Sequence, residues 1–466
     1  MPIATVDPTT GETLRTFPPH DEAAVDAALA RAADAAREWR RTPVAERAAL
    51  VGRIGVLLDE RRERYARLMT MEMGKPLQAA RDEAAKCATA CRYYAEHAAR
   101  FLDGETLVHD DGGVGRVRYD PLGVVLAVMP WNFPFWQVVR FMAPALAAGN
   151  VGVLKHASNV PQCALALAEV VRDAGGRRGL FETLLIPSDR VEAVIADPRV
   201  AAVTLTGSEG AGSHVGAAAG RHLKKSVLEL GGSDPFVVMP SADLDIAART
   251  AVTARTINNG QSCIAAKRFV VHTDVYEPFL DRFVAGMRAL RLGNPMDEGV
   301  QVGPLATGSI RDDVHDQVRR TVVAGARLLC GGQPFDGPGF FYPPTVLADV
   351  PLDAPAATEE VFGPVAAVLR VPNVDEAIRV ANASPYGLGA AAWTTDAAEK
   401  QRFEAELDAG SVFLNGMVAS DPRLPFGGVK RSGYGRELSA IGMREFVNVK
   451  TVREARGTSS TTATTE

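Results

Sequence analysis

The sequence predicts an α/β protein built on parallel β-sheets. Apolar runs at residues 124–129, 151–154, 183–186 and 201–205 are short enough to be buried strands. Helical stretches separate them near residues 135–148, 160–174 and 189–196, and a second strand–helix alternation runs from about residue 234 to about residue 430. Strands that alternate with helices indicate parallel sheets covered on both faces.

The first hundred residues are predicted to be helical. The expected helices cover residues 21–41, a long stretch after Pro43 up to Met73, and residues 79–101. Prolines and Gly74 break this pattern, as expected for residues that end helices. Residues 114–119 alternate between polar and apolar side chains, which predicts a strand that ends at Asp120-Pro121. The tail at 457–466 lacks apolar residues and is expected to be disordered.

Composition limits the class of protein. A chain of 466 residues has room for two or three domains. No apolar run is long enough to span a membrane, and the net charge of −5 argues against a nucleic-acid partner. The N-terminus carries no basic and apolar leader, so export is not expected. Five cysteines without a CxxC pair indicate reduced thiols and a cytoplasmic protein, and the histidines show no HxxxH or HxH spacing, so no metal site is expected.

One cysteine has a setting that suggests reactivity. Cys263 follows Asn259-Gly260-Gln261-Ser262. A cysteine on a glycine-led turn is accessible, and nearby N–H groups can lower the pKa of its thiol. The alternative for any lone cysteine is a half-buried structural thiol. The other four, Cys87, Cys91, Cys163 and Cys330, lie in contexts typical of packing residues.

Three further side chains have chemical potential. Glu229 stands between leucines before Gly231-Gly232, where burial should raise its pKa toward the range of a general base, although a buried structural ion pair would look the same. Asn132 follows an apolar strand and can donate to an oxyanion, or it can be a simple turn residue beside Pro134. Lys155 ends another strand, where open α/β sheets bind ligands.

These residues and their spacing resemble the aldehyde dehydrogenase superfamily over essentially the whole chain. Glu229 and Cys263 are 34 residues apart, and Asn132 and Lys155 are 23 apart, as in that family. Further motifs of the family occur in order at 205–208, 359–364 and 425–433. The segments at 155–160, 231–236 and 265–269 look most like the bacterial succinate-semialdehyde dehydrogenases.

The resemblance implies a particular domain organisation. An aldehyde dehydrogenase-like fold has two parallel α/β, Rossmann-like domains and a small β oligomerisation arm. The expected boundaries are 1–102 with 122–231 for the NAD(P)-binding domain, 232–431 for the catalytic domain, and 103–121 with 440–456 for the arm. Because an exposed hairpin is marginal by itself, the arm should pair with another subunit, giving a homodimer or homotetramer.

The resemblance also implies roles for the reactive side chains. Cys263 attacks the aldehyde carbon, and its own backbone N–H and the amide of Asn132 hold the oxyanion. After hydride leaves for the nicotinamide, Glu229 activates the water that releases the acid.

The implied cofactor is NADP or NAD. The chain has no GxGxxG segment; the family instead places Gly207-Ser208 at a helix N-terminus for the pyrophosphate. The remaining cofactor residues implied by the resemblance are Trp131, Asn132, Lys155, Leu230, Glu360 and Phe362. Ser158 stands where relatives that prefer NAD often carry glutamate, so NADP should be accepted, without indicating which cofactor is preferred.

The expected substrate is succinate semialdehyde. A helical stretch expected to open at Asn132 puts Arg140 on one face with Phe133 and Trp136, and the arginine matches one that semialdehyde dehydrogenases use for the distal carboxylate. The alternative is a surface or interface arginine, and Ser420 is a weaker second candidate for substrate binding. Two positions depart from the pattern: Ile257 replaces a second arginine of many relatives, and Ala265 replaces a second cysteine of some.

Other functions fit the same motifs. The nearest alternatives are an aldehyde dehydrogenase for glutarate semialdehyde or for a plain aliphatic aldehyde. A hydrolase that cleaves esters through a Cys263 thioester needs no cofactor. A non-catalytic structural protein is disfavoured, since Cys263 and Glu229 are both present.

Overall fold

The computed structural model describes residues 2–109 and 113–454. Its N-terminal part is a small hairpin followed by helices. The elements are β1 (Ala4–Val6), β2 (Thr13–Thr16), α1 (Glu22–Trp39), α2 (Val44–Glu60), α3 (Arg62–Met73), α4 (Leu77–Phe101), β3 (Thr106–Val108) and β4 (Val114–Pro121). The single long helix expected after Pro43 is wrong, because the chain breaks at Arg61, whose φ of −97° and ψ of 16° separate α2 from α3. The tail at 457–466 lies outside the described residues, as do 110–112 and 455–456 of the expected arm.

The first large sheet is parallel apart from one edge. Its chain segment contains β5 (Val124–Met129), α5 (Trp136–Ala148), β6 (Val151–His156), α6 (Pro161–Asp173), β7 (Phe181–Thr183), α7 (Val191–Ala196), β8 (Val200–Thr206), α8 (Glu209–Arg221) and β9 (Lys225–Glu229). Two expectations were wrong in detail. The strand placed at 183–186 is β7, which ends at Thr183, and the helix expected to open at Asn132 begins at Trp136.

The second large sheet follows directly. Its segment contains β10 (Asp234–Val238), α9 (Leu244–Thr256), β11 (Ala266–His272), α10 (Tyr276–Arg288), α11 (Gly308–Val323), β12 (Arg327–Cys330), β13 (Thr345–Ala348), α12 (Pro355–Thr358), β14 (Val365–Val371), α13 (Val374–Asn382), β15 (Tyr386–Gly387), β16 (Gly389–Trp393), α14 (Ala397–Glu406) and β17 (Ser411–Leu414). The chain ends its described part with β18 (Val429–Lys430), β19 (Gly433–Tyr434), α15 (Ser439–Arg444) and β20 (Val447–Glu454).

Strand order confirms the α/β class. Over the described ranges, the first sheet has the order β19-β9-β8-β5-β6-β7 and the second β12-β13-β14-β11-β10-β16-β17. Only the edge strands β19 and β12 pair antiparallel to their neighbours in these two sheets as described. A third sheet has three strands in the order β20-β4-β3. In this sheet β4 pairs with β20 along eight residues, from Val114 opposite Glu454 to Pro121 opposite Val447.

The cores explain why these strands are apolar. Phe236 and Val238 pack in one core, whereas Val237 packs in another, on the opposite face of β10. Successive strand residues point to opposite faces, so a strand buried on both sides must be apolar throughout. In α5 every residue is buried, including the polar Gln137 and the charged Arg140 among otherwise apolar side chains. The chain passes from the first sheet to the second at residues 230–233, between the end of β9 and the start of β10.

Candidate active site

A turn of left-handed backbone presents the candidate nucleophile. Asn258, Asn259 and Gly260 have φ values of 56°, 59° and 75°, between the end of α9 and Cys263. Glycine adopts this conformation freely, and asparagine tolerates it better than most residues. Such backbone persists only where the surrounding structure holds it in place.

Side-chain amides hold the turn. Asn258 Nδ2 donates a hydrogen bond to the carbonyl oxygen of Asn132 at 2.7 Å. Asn259 Nδ2 donates to the carbonyl oxygens of Gly74 and Pro304, both at 2.9 Å. Because both asparagines are buried, these bonds satisfy polar groups that would be costly to leave unpaired. The turn is therefore fixed to the Asn132 segment and to two distant loops.

Lys267 fastens the other side of the turn, and the sequence analysis did not assign it a role. Its Nζ donates to the carbonyl oxygens of Ser262 at 3.0 Å, Cys263 at 2.9 Å and Ala265 at 3.2 Å. Burial lowers the pKa of Lys267, and Glu360 opposes that shift from 3.5 Å away. One buried ammonium thus orients the carbonyl groups on both sides of the nucleophile.

Cys263 lines a cavity of about 240 Å³. The residue is partly buried, and burial raises the pKa of its thiol to about 12, while Arg140 and Lys267 act in the opposite direction. The thiol is therefore protonated at neutral pH in this structure, and its attack on an aldehyde requires loss of that proton. Of the other cysteines, Cys87, Cys91 and Cys163 are buried, as expected for packing residues, and Cys330 is partly buried.

Asn132 lies beside the same turn. It is buried, and its Nδ2 donates to the carbonyl oxygen of Gln261 at 3.1 Å. A primary amide has two N–H donors, so one remains for a second acceptor. The structure brings Asn132 and the Cys263 turn together, the placement that an oxyanion donor needs.

Glu229 ends β9 and is 2 % exposed. No group of the described chain hydrogen-bonds to either carboxylate oxygen. Burial raises the pKa of Glu229 well above its usual range, and the nearby Glu437 adds to that shift. The side chain does not line the Cys263 cavity; its Oε1 lies against Gly427, where a Cβ would come within 2.6 Å. The separation of 34 residues between Glu229 and Cys263 in the sequence could not indicate that the carboxylate lies outside the cavity wall.

Arg140 lines the Cys263 cavity together with Phe133 and Trp136, on the face that helical spacing predicted. The side chain is 3 % exposed, which rules out the alternative of a surface arginine. Its Nε forms an ion pair with the buried Glu437, and its Nη2 donates to Thr206 Oγ1 at 3.3 Å. The guanidinium charge is therefore already compensated by a protein carboxylate, which the sequence analysis did not anticipate.

Ser420 lines the same cavity and contacts Lys86, to which the sequence analysis gave no role. Its Oγ accepts a hydrogen bond from Lys86 Nζ at 2.7 Å, and the ammonium lies 4.3 Å from the centre of the Trp136 ring. Burial lowers the pKa of Lys86 to about 8, and Arg140 adds to that effect. Nothing in the Ala-rich sequence around Lys86 indicates that it meets a residue so distant in the chain.

The two departures from the family pattern are now located. Ile257 lines the cavity where many relatives have arginine. The neighbouring Arg255 is fully buried and donates to the carbonyl oxygen of Gly260 at 2.6 Å, so it supports the turn and does not face the cavity. Ala265 is buried next to the nucleophile, where it offers no second thiol.

A second cavity, of about 450 Å³, lies at the carboxyl ends of the first sheet. Its apolar walls include Val128, Leu205 and Val215, and the buried Lys155 projects from β6. Within the described residues, no carboxylate forms an ion pair with Lys155. An apolar slot with one uncommitted cation fits an adenosine group and its ribose oxygens. Ser158 does not line this cavity; it lies in the turn after β6, where its carbonyl oxygen accepts the N–H of Ala4.

The N-terminus of α8 is adjacent. Ser208 caps it by accepting the N–H of Ala211 at 3.4 Å, and Gly207 precedes the cap. A Cβ on Gly210 would meet no atom within 4 Å, so the first turn is open to an anion. The local geometry fits a pyrophosphate, as the family resemblance implied.

Of the remaining candidate cofactor residues, Glu360 and Phe362 line a third cavity, of about 320 Å³, beside α11. Trp131 and Phe362 pack edge to face, with ring centres 5.8 Å apart. Glu360 Oε1 accepts the N–H of Gly232 at 3.1 Å, so in this structure its carboxylate is held against the protein backbone. The N–H of Leu230 donates to the carbonyl oxygen of Ser432, and its side chain lies against Gly212 of α8.

Two negative findings apply to residues 2–109 and 113–454. No cluster of three histidine, cysteine or acidic side chains is arranged to hold a metal ion. None of the helices combines the length and apolar character needed to cross a membrane.

Comparison with known proteins gives a consistent result. The model of the aldehyde dehydrogenase family matches residues 1–452. A succinate-semialdehyde dehydrogenase [NADP(+)] of Mycobacterium avium (strain 104) is 59% identical over 457 residues, covering 97% of this chain and 96% of the relative. The corresponding Mycobacterium tuberculosis (strain H37Rv) protein is 58% identical, covering 97% and 99%.

Solved structures agree at lower identity. Succinic semialdehyde dehydrogenase from Streptococcus pyogenes, solved with NADP+, superposes with a TM-score of 0.94 at 39% identity, covering 96% of this chain and 99% of that one. An NAD-dependent aldehyde dehydrogenase from Sinorhizobium meliloti gives 0.94 at 35% identity, covering 99% and 93%.

Proposed function

The chain belongs to the aldehyde dehydrogenase family, and from that premise we propose that it oxidises succinate semialdehyde to succinate with NADP as the preferred hydride acceptor. The observation that carries the proposal is the Cys263 cavity, whose wall brings a supported cysteine turn together with Lys86 and Arg140. A substrate with an aldehyde at one end and a carboxylate at the other suits a cavity with a nucleophile and buried cations. Near-full-length relatives named for this reaction support it.

The first half of the reaction uses the turn. Cys263 loses its proton, and its sulfur forms a bond to the aldehyde carbon, which gives a thiohemiacetal. The developing oxyanion accepts the free N–H of the Asn132 amide and the backbone N–H of Cys263. Because the turn is fixed by Lys267 and by two buried asparagines, these donors are oriented before the substrate arrives.

The second half uses Glu229. Loss of hydride from the thiohemiacetal carbon, to an acceptor that bound NAD(P) would supply, leaves Cys263 as a thioester. Glu229 takes a proton from the water that attacks this thioester, which releases the acid and regenerates the thiol. Since Glu229 faces Gly427 and Glu437 in the structure, we expect its side chain to rotate toward Cys263 at this stage.

We propose that the cofactor lies along the first sheet, between the Cys263 cavity and the cavity beside Lys155. Lys155 and Ser158 would hold the adenosine ribose and its 2′-phosphate, and Gly207 with Ser208 would hold the pyrophosphate. Trp131, Leu230, Glu360 and Phe362 would border the nicotinamide end. We also propose a cytoplasmic location, which suits five free thiols, and a homodimer or homotetramer joined through the β4–β20 sheet.

The test compares substrates and cofactors in one series of initial rates. We expect succinate semialdehyde to be the best of a panel that includes glutarate semialdehyde and butyraldehyde, and NADP to exceed NAD. Cys263→Ala should abolish oxidation, whereas Cys87→Ala should retain it, because Cys87 is buried away from the cavity wall. Turnover by the Cys263 variant would refute the mechanism, and a preference for butyraldehyde would refute the substrate.

A further inference from the structure

The charges on the cavity wall are unequally compensated. Five charged residues of the described chain line the cavity: Lys75, Asp82, Glu83, Lys86 and Arg140. Lys75 forms a buried ion pair with Glu83, and Arg140 forms one with Glu437. Among the described residues, no carboxylate lies within ion-pair distance of Lys86. The uncompensated positive charge beside Cys263 is therefore that of Lys86.

The surroundings of Lys86 leave its ammonium incompletely bonded. It has one hydrogen-bond acceptor, Ser420 Oγ at 2.7 Å, and lies over the face of the Trp136 ring at 4.3 Å. An ammonium group has three N–H donors, so donors remain for an anion that enters the cavity. Arg140 lowers the pKa of Lys86 through its charge, which places the two cations close enough to repel each other. An anion between them would remove that repulsion.

We propose that Lys86 is a specificity-determining residue of this enzyme, binding the carboxylate at the far end of the substrate with its ammonium held by Ser420. The proposal rests on the proposed function and refines it. Arg140 then contributes shape and a residual N–H to the same carboxylate, while Lys86 supplies a positive charge without an ion-pair partner, which selects an acidic aldehyde over a neutral one of equal length.

The experiment measures kcat/KM for succinate semialdehyde and butyraldehyde in wild type, Lys86→Met, Lys86→Arg and Ser420→Ala. Methionine keeps an unbranched apolar chain and removes the charge. We expect the ratio of the two kcat/KM values to fall roughly ten- to a hundred-fold in Lys86→Met, with most of the loss in KM for the acidic substrate. Lys86→Arg should restore part of the ratio, and Ser420→Ala should lower it several-fold.

The controls separate a role of Lys86 in specificity from a role in supporting the fold and from a failure of the proposed function itself. Lys400→Met makes the same change on α14, away from the cavity, and should leave the ratio as in wild type. An equal loss for both aldehydes in Lys86→Met would mean that Lys86 only supports the fold. If that variant does not fold, an unchanged ratio in Ser420→Ala overturns the proposal. A wild-type enzyme without any preference for the acidic aldehyde would instead overturn the proposed function.

Discussion

At the scale of single residues, Lys86 links substrate choice to pH. Burial, together with the charge of Arg140, lowers its pKa to about 8, while Cys87, Glu83 and Asp421 partly oppose the shift. The ammonium is charged below that pKa and neutral above it. We therefore expect the ratio of kcat/KM for succinate semialdehyde to that for butyraldehyde to be constant below about pH 8 and to fall as pH rises further.

Taking the ratio removes the ionisation of Cys263, because both aldehydes react with the same thiol. In Lys86→Met the ratio should not change with pH across the same range. The charged groups that face Lys86 and must be considered in fitting the profile are Arg140, Glu83 and Asp421, and the titratable thiol of Cys87 is a fourth neighbour. A wild-type ratio that stays constant up to pH 10 would contradict the assignment.

Ser158 is the residue expected to influence cofactor choice. Ser158→Glu places a carboxylate in the turn after β6, beyond Lys155. We expect this carboxylate to repel the 2′-phosphate, so KM for NADP should rise at least ten-fold more than KM for NAD. Ser158→Ala is the matched control: it removes the hydroxyl without adding a charge, and should raise KM for NADP much less than the glutamate does. Equal weakening by the glutamate would show that Ser158 does not face the ribose.

At the scale of elements, one buried ion pair fixes the helix that carries Arg140. Glu83 Oε1 accepts the N–H groups of Phe135 and Trp136, both at 2.9 Å, at the start of α5. Its other oxygen pairs with Lys75, and both side chains are 1–2 % exposed. The Glu83 carboxylate on α4 thus caps the N-terminus of α5 in place of a neighbouring side chain, and its negative charge suits the positive end of that helix.

Removing this carboxylate should destabilise the protein strongly. Glu83→Ala leaves a buried ammonium and two N–H groups without partners, and we expect a loss of about 3–5 kcal/mol in the free energy of unfolding. Chemical denaturation measures this loss. Glu96→Ala, an exposed change on the same helix, should stay within about 0.5 kcal/mol of wild type. Comparable stability of the two variants would show that the Lys75–Glu83 pair is not the support we infer.

At the scale of the whole molecule, the arm offers an open edge. In the described sheet, β20 pairs with β4 on one side only, and Val449 on β20 is 62% exposed. An eight-residue edge strand with an exposed valine is suited to pairing with a second subunit. We expect Val449→Asp to shift the protein toward a smaller species.

Size-exclusion chromatography with light scattering measures that shift. Val323→Asp introduces the same charge at the end of α11, where the valine is 80% exposed, and should leave the mass unchanged. If neither substitution alters the mass, the β20 edge is not the subunit contact.

The order of the α/β elements followed from the sequence, because hydrophobic periodicity and helix breakers act over a few neighbouring residues. The periodicity of the segment after Pro43 did not reveal the break at Arg61, which depends on two dihedral angles within a continuous helical pattern. The strand expected at 183–186 was misplaced for a similar reason. A short apolar run indicates that a segment is buried, but it does not indicate which of its residues pair with β6.

The candidate site divides in the same way. The setting of Cys263, between a glycine-led turn and an apolar strand, is local and was readable from the sequence. The compensation of Arg140 by Glu437 and the contact of Lys86 with Ser420 were not, because each joins residues about 300 or more positions apart. Charge in a cavity depends on which groups meet and which stay unpaired after folding. The sequence therefore determined the family and indicated the candidate nucleophile, and only the tertiary structure decided which cation of the cavity wall has no ion-pair partner among the described residues.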